Sequence, residues 1–238
     1  MKYRLFLFIL VILGLMAGLL WWGHGHKAKR ATPVVSNHKS ASTAPTFNKQ
    51  RYSLTDPTSL WIVVNKNLPL VPASYAPADL VNVGNGQLMR AEAAAAFAEL
   101  MSAAKSAGYS TLAESGYRSY QTQQAVYNRE VQSFGQAKAD TESARPGYSE
   151  HQTGWAVDIQ SPGCQEDCFG KTTAASWLAA HAYEYGFILR YTPAKIAITG
   201  YRSEPWHFRY VGKDLASQLQ QTSQTLEEFF GLPAVGTP

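Results

Sequence analysis

The segment Ser149-Glu150-His151-Gln152-Thr153-Gly154-Trp155-Ala156-Val157-Asp158 constrains this chain more than any other. It sets a histidine and an aspartate seven residues apart with small residues between them. Read as a strand, its period-two alternation puts Gly154, Ala156 and Asp158 on one face. That face is bare at two positions and bears a carboxylate at the third, which leaves room for a ligand beside the acid. Far downstream, Glu204-Pro205-Trp206-His207 adds a second histidine with an acid three residues before it. Two histidines, an aspartate and a spare glutamate are the parts of a hydrolytic zinc site. Such a site has three protein ligands, an open fourth position for water and a base.

Of the six histidines, His24, His26 and His38 sit in a polar N-terminal stretch. His181 stands among alanines in a predicted helix and reads as a packed or surface residue. His151, Asp158 and His207 supply neutral imidazoles and one carboxylate, the donor set that leaves a zinc ion positive enough to acidify water. Glu204 then stays free as general base. The offset of three from Glu204 to His207 breaks same-face alternation, but Pro205 implies a bend that turns both inward. Arg118 precedes a predicted helix with Ser119 as its N-cap, a place for an oxyanion or a substrate carboxylate. Each pair alone fits two unrelated histidines with ordinary surface acids equally well.

Charge is segregated. Residues 1–50 hold seven Lys or Arg and no acid, which leaves 14 basic against 17 acidic residues in the rest. The basic character belongs to the N-terminal region, so nucleic acid is excluded as a partner of the folded part. Lys2 and Arg4 precede an apolar run from Leu5 to Trp22, long enough to span a bilayer as a helix. Without a small-x-small cleavage site, residues 1–22 read as an uncleaved signal-anchor in preference to a cleaved signal peptide. Residues 23–50, rich in Lys, Ser, Thr, Ala and Pro, read as a disordered linker. A domain over 51–232 and a tail over 233–238 follow, with a monomer expected. Cys164 and Cys168 read as a disulfide closing a short loop, the usual state in an exported chain, and less readily as metal thiolates.

Within the domain, Leu60-Trp61-Ile62-Val63-Val64 reads as a strand, residues 90–107 as an Ala-rich helix stopped by Gly108, and residues 109–114 as a short strand. A helix from Ser119 to about Phe134, a polar loop over 135–148, a helix over 173–185 and strands at 187–191 and 206–211 follow. One or two closing helices occupy 213–230. Without βαβ alternation, these elements specify an α+β fold, a single domain with a small antiparallel sheet flanked by helices. An N-terminal apolar helix and the disordered linker precede it.

With these motifs in place, the sequence resembles a known family, the VanY-type zinc D-alanyl-D-alanine carboxypeptidases of bacteria. The resemblance rests on Ser115-Gly116-Tyr117-Arg118-Ser119, on Ser149, His151, Gly154, Ala156 and Asp158, and on Glu204-Pro205-Trp206-His207. It covers roughly residues 55–215. It implies one zinc ion on His151, Asp158 and His207, Glu204 as the base activating zinc-bound water, and Arg118 as a transition-state or substrate contact. It also implies that Ser149 hydrogen-bonds substrate and that Gln123 lies near the substrate's terminal carboxylate. The implied substrate is the peptidoglycan stem peptide, met outside the membrane to which the N-terminal helix tethers the enzyme. Removal of the terminal D-Ala of a pentapeptide stem is the first expectation. L,D-carboxypeptidase action on tetrapeptide stems is the alternative. A peptidoglycan endopeptidase or a non-catalytic wall-binding module stands behind both.

Overall fold

The computed structural model describes residues 47–236. The apolar run 5–22 and most of the 23–50 linker lie outside the described residues. Among those described, no helix is long and apolar enough to cross a membrane.

A short hairpin of β1 (Leu80–Asn82) and β2 (Leu88–Arg90) leads directly into α1 (Ala91–Ser106). Alanine gives α1 its propensity, and the burial of Ala93, Ala96, Phe97 and Leu100 on one stripe fixes which side faces inward. β3 (Leu112–Ser115) follows, then α2 (Tyr120–Phe134), whose first turn is capped by the Ser119 hydroxyl accepting from Thr122 N–H. The predicted loop after it contains a helix, α3 (Gln136–Glu142). Only Ala139 of this helix is buried, so it shows no apolar periodicity; Lys138 and Glu142 pair one turn apart on its surface.

A 3-10 turn at Glu150–Thr153 delivers the chain into β4 (Ala156–Gln160). The strand therefore begins after Gly154, not before it. Gly154 is left-handed at φ +73°, and a Cβ there would meet Arg90 Cγ at 2.8 Å and Leu80 Cδ2 at 3.2 Å. Its smallness thus serves the turn and its contact with the β1–β2 hairpin, not room for a ligand. Ala156 is likewise fully buried, its strand partner being Arg209.

After β4 come α4 (Glu166–Phe169), α5 (Thr173–His181) running on as a 3-10 turn to Tyr185, and β5 (Phe187–Tyr191). α6 (Ile196–Thr199), β6 (Glu204–Tyr210), α7 (Lys213–Thr222) and α8 (Leu226–Phe230) complete the domain. The main sheet is antiparallel in the order β3-β4-β6-β5. The predicted α+β single domain is what the chain forms.

The two sides of the sheet differ. Val157 pairs with Phe208 and Phe187 with Tyr210, and Phe187 in turn meets Phe97 of α1 with ring centroids 6.2 Å apart. The opposite side carries Asp158, His207 and Arg209. Leu60–Val64, predicted as a strand, joins no sheet. It is buried, and its Leu60 and Ile62 carbonyls accept from the Arg209 guanidinium at 3.0 Å each. Arg209 on the sheet takes up the carbonyls that a neighbouring strand would have paired. Packing reaches back to Phe47, whose ring stacks on Trp61 at 5.4 Å and meets Phe229 edge-on at 5.3 Å.

Candidate metal centre

Antiparallel register sets the centre. Asp158 of β4 and His207 of β6 are directly paired residues, so their side chains leave the sheet on the same side. His151 comes from the 3-10 turn just before β4. The three side chains, all buried, offer ligand atoms that lie within 4.8 Å of one another. Asp158 Oδ2 is 3.2 Å from His151 Nε2, and its Oδ1 is 3.2 Å from His207 Nδ1.

The remaining ring nitrogens are engaged elsewhere. His151 Nδ1–H donates to the Gly116 carbonyl at 2.8 Å, which leaves Nε2 as the lone-pair nitrogen facing the centre. His207 Nε2–H donates to Glu150 Oε2 at 3.1 Å, which leaves Nδ1 facing inward. Outer hydrogen bonds of this kind fix tautomer and ring orientation in metal-ligating histidines. His151 Nε2 and Asp158 Oδ1 are buried without a hydrogen-bond partner. Two unsatisfied acceptors aimed at one point, plus a third nitrogen, fit a cation of zinc's ligand preference.

Glu204 opens β6, buried, with Oε2 3.7 Å from His207 Nδ1. The predicted bend is present: Leu189 pairs with Phe208 but Tyr191 with Glu204, so the ladder slips around Pro205. That slip turns both Glu204 and His207 into one cavity. Burial pushes the Glu204 carboxyl up to about 7, with Asp158 adding to the rise. Burial and the Arg118 charge hold His151 down at about 4. His207 goes the other way: burial opposes its protonation, yet the Asp158 and Glu150 carboxylates beside it win and raise it to about 9.

The centre floors a cavity of about 670 Å³ that Arg118, Gln123, Ser149 and Glu204 all line. Arg118 reaches Asp158 Oδ2 at 3.5 Å and donates to Gln123 Oε1 at 3.1 Å, while its Nε is buried and unpartnered. Gln123 is fixed by donating to the Ala144 carbonyl at 2.7 Å. Every predicted site residue therefore faces one cavity. His181 does not: it bonds Glu184 and stacks on Trp177 with centroids 4.7 Å apart.

Cys164 and Cys168 are joined as a disulfide. The loop they close leads α4 against β6, where a Cβ on Gly170 would meet Pro205 Cγ at 2.4 Å. Asp167 in that loop holds the Arg202 guanidinium at 3.0 Å, and Arg202 lies over the Trp206 ring at 4.9 Å. Glu166 of that loop, with Arg202 and Trp206, lines the cavity, and the cysteines take no part in the donor cluster.

Sequence reasoning missed two contributors. Glu150 carries no role in the sequence reading, yet it is buried and holds His207. Tyr201 lines the cavity with a buried hydroxyl that has no partner, its ring packed 4.9 Å from Tyr191. Neither shows in spacing, since both depend on burial contributed by distant segments.

A family model described as VanY, D-alanyl-D-alanine carboxypeptidase, matches residues 86–213. Among curated proteins, the chain is 42% identical over 190 residues to the putative carboxypeptidase YodJ of Bacillus subtilis (strain 168), covering 75% of this chain and 69% of YodJ. It is 32% identical over 219 residues to a D-alanyl-D-alanine carboxypeptidase of Enterococcus faecalis (strain ATCC 700802 / V583), covering 85% and 80%. Among solved structures it resembles the LdcB LD-carboxypeptidase at 42% identity and TM-score 0.68, over 74% of this chain and 87% of that one. It also resembles a Zn(II) complex of a mutant of the vancomycin resistance D,D-pentapeptidase VanY, at 33% identity and TM-score 0.64, over 71% and 97%.

Proposed function

Since the chain belongs to the VanY family of D-alanyl-D-alanine carboxypeptidases, we propose that it is a zinc D,D-carboxypeptidase that removes the terminal D-Ala from peptidoglycan stem peptides. The observation that carries this reading is the donor cluster of His151, Asp158 and His207, with Glu204 beside it, at the floor of one cavity. His151 Nε2, an Asp158 oxygen and His207 Nδ1 would hold the ion. Zinc bound there would acidify water and withdraw electron density from the scissile carbonyl.

The chain's own groups do the rest. Glu204 removes the proton from the attacking water and delivers it to the leaving amine as the C–N bond breaks. The products are free D-Ala and a stem shortened by one residue. A carboxyl raised to about 7 by burial is matched to that exchange, because it both takes and returns a proton near neutral pH. Arg118, with its unpartnered Nε, donates to the oxygen that gains charge as water adds. Gln123, braced by Ala144, and Ser149 hold the substrate's terminal carboxylate and backbone. Tyr201 supplies a further hydroxyl in the cavity wall.

The family's activity supports a site of action outside the cytoplasm. Residues 1–22 anchor it to the membrane in this reading, and about 28 linker residues give a reach on the order of 30 Å toward the wall. The chain works as a monomer.

A second reading, an L,D-carboxypeptidase on tetrapeptide stems, is favoured by the 42% identity to LdcB, which exceeds the 33% to the D,D-pentapeptidase. Mass spectrometry of penta-, tetra- and tripeptide stems incubated with the protein, with and without chelator, separates the two. Loss of D-Ala from the pentapeptide alone supports the D,D reading, and loss from the tetrapeptide alone replaces it. Hydrolysis that persists in chelator removes zinc from the account.

A further inference from the structure

Behind His207 the structure continues as a chain of buried charges. Glu150 Oε2 accepts from His207 Nε2–H at 3.1 Å, and Glu150 Oε1 accepts from Arg190 Nε at 2.9 Å. The other edge of the same guanidinium grips Glu227 twice, NH1 to Oε2 at 3.0 Å and NH2 to Oε1 at 2.6 Å. Asn65 Nδ2 then donates to Glu227 Oε1 at 3.1 Å. The side chains of Glu150, Arg190 and Glu227 are wholly buried as these pairs form. Arg209, also buried, stands 3.7 Å from Glu150 Oε1.

We infer that Glu150, Arg190 and Glu227 are a positioning relay that fixes the His207 imidazole for the metal, and that Glu227 and Asn65 belong to the support of the metal centre. The inference rests on His207 holding zinc. Three features argue for it. The relay is charge-balanced, two arginines against two glutamates, so it can be buried without drawing charge from the histidine. It is geometrically directed: Arg190 uses a planar fork whose two edges cannot rotate independently, so the setting of Glu227 sets Glu150. It ends on rigid supports. Glu227 sits in α8, whose first turn is closed by a capping box between Thr225 and Glu228 and whose Leu226 and Phe229 are buried. Asn65 is locked by accepting from Asn67 and Leu68 N–H at 3.0 and 3.1 Å.

The relay crosses the limits of the family match. His207, Glu150 and Arg190 lie inside residues 86–213, whereas Asn65 and Glu227 lie outside them on either side. Segments that look like peripheral packing thus complete the orientation of a ligand.

The test measures zinc affinity by chelator competition and the thermal midpoint of the metal-free protein, for wild type and four variants of the full chain. Glu150→Gln is expected to weaken zinc binding by roughly 10–100-fold and Glu227→Gln by about tenfold, the scale seen when outer-shell partners are changed. Cobalt(II) loaded into Glu227→Gln is expected to show a shifted visible spectrum. Arg190→Lys keeps the buried charge but loses the fork, and is expected to weaken zinc binding as well, which covers the case in which Glu227→Gln does not fold. Leu219→Ala, a buried change on α7 at a residue that makes none of the relay's hydrogen bonds, is expected to lower the midpoint and leave zinc affinity and the cobalt spectrum unchanged. If Glu227→Gln and Arg190→Lys behave like Leu219→Ala, losing stability but binding zinc as wild type does, the network is packing only and the inference fails. A wild-type protein that takes up no zinc overturns the zinc reading instead, and the relay's purpose with it.

Discussion

Glu204 Oε2 stands 3.7 Å from His207 Nδ1, near the donor cluster but outside it. On the proposed roles, base and ligand are therefore separable by mutation. Glu204→Gln is expected to retain wild-type zinc content while kcat falls by about 10²–10⁴-fold, the usual weight of a positioned acid–base group. Metal analysis of the purified variant beside its stem-peptide kinetics checks both halves. Loss of zinc in this variant would move Glu204 into the ligand set.

The same carboxyl couples stability to pH. Its folded value of about 7 exceeds the ordinary 4.5, so the folded protein keeps a proton that the unfolded chain has released. Between those values the unfolded state binds fewer protons, and stability falls as pH rises; above about 7 the loss is complete. The span is on the order of 3 kcal/mol. With chelator present, Glu204→Gln is expected to melt above wild type at about pH 8 and to lose that advantage near pH 4.5. A difference that does not change with pH would contradict the buried-base picture.

Gly154 offers a sharp choice between two roles. If it cleared space for substrate, an added methyl would act on KM. Its positive φ and the 2.8 Å approach to Arg90 put the cost on folding instead. Gly154→Ala is expected to lose roughly 1–3 kcal/mol in denaturant titration while KM of the folded fraction is unchanged.

Opening the Cys164–Cys168 loop is expected to act at the wall and not at the metal. The double change to serine removes a short-loop constraint of about 2 kcal/mol. It also frees Asp167 from its hold on Arg202 over Trp206. KM is expected to rise and zinc content to stay the same, as judged by steady-state kinetics with and without reductant.

Much of this was legible in the sequence, and the limits of legibility have physical causes. The Ala-rich α1, its stop before Gly108 and the Ser119 cap are local signals, and each appears where the sequence puts it. The His151–Asp158–His207 cluster was legible because a metal site demands particular side chains, and the bend at Pro205 because proline restricts its own backbone. Leu60–Val64 misled because a strand and a buried covering segment have the same composition; only Arg209, some 150 residues away, decides between them. α3 was hidden because a single buried alanine makes no periodicity. Glu150 was hidden because nothing beside it announces that Arg190 will arrive to neutralise it.

The pairing of Asp158 with His207 also bears on when the site can exist. The two residues are far apart in sequence and meet only when β4 and β6 lie in a single register. A slip by one residue would turn one of the two to the apolar side of the sheet. No partly folded chain with a shifted ladder can therefore gather all three donors, and tight zinc uptake becomes a proofreading step that only correctly zipped molecules pass. In a refolding experiment, the appearance of high-affinity metal binding should follow sheet formation and report the fraction of chains that chose the right register.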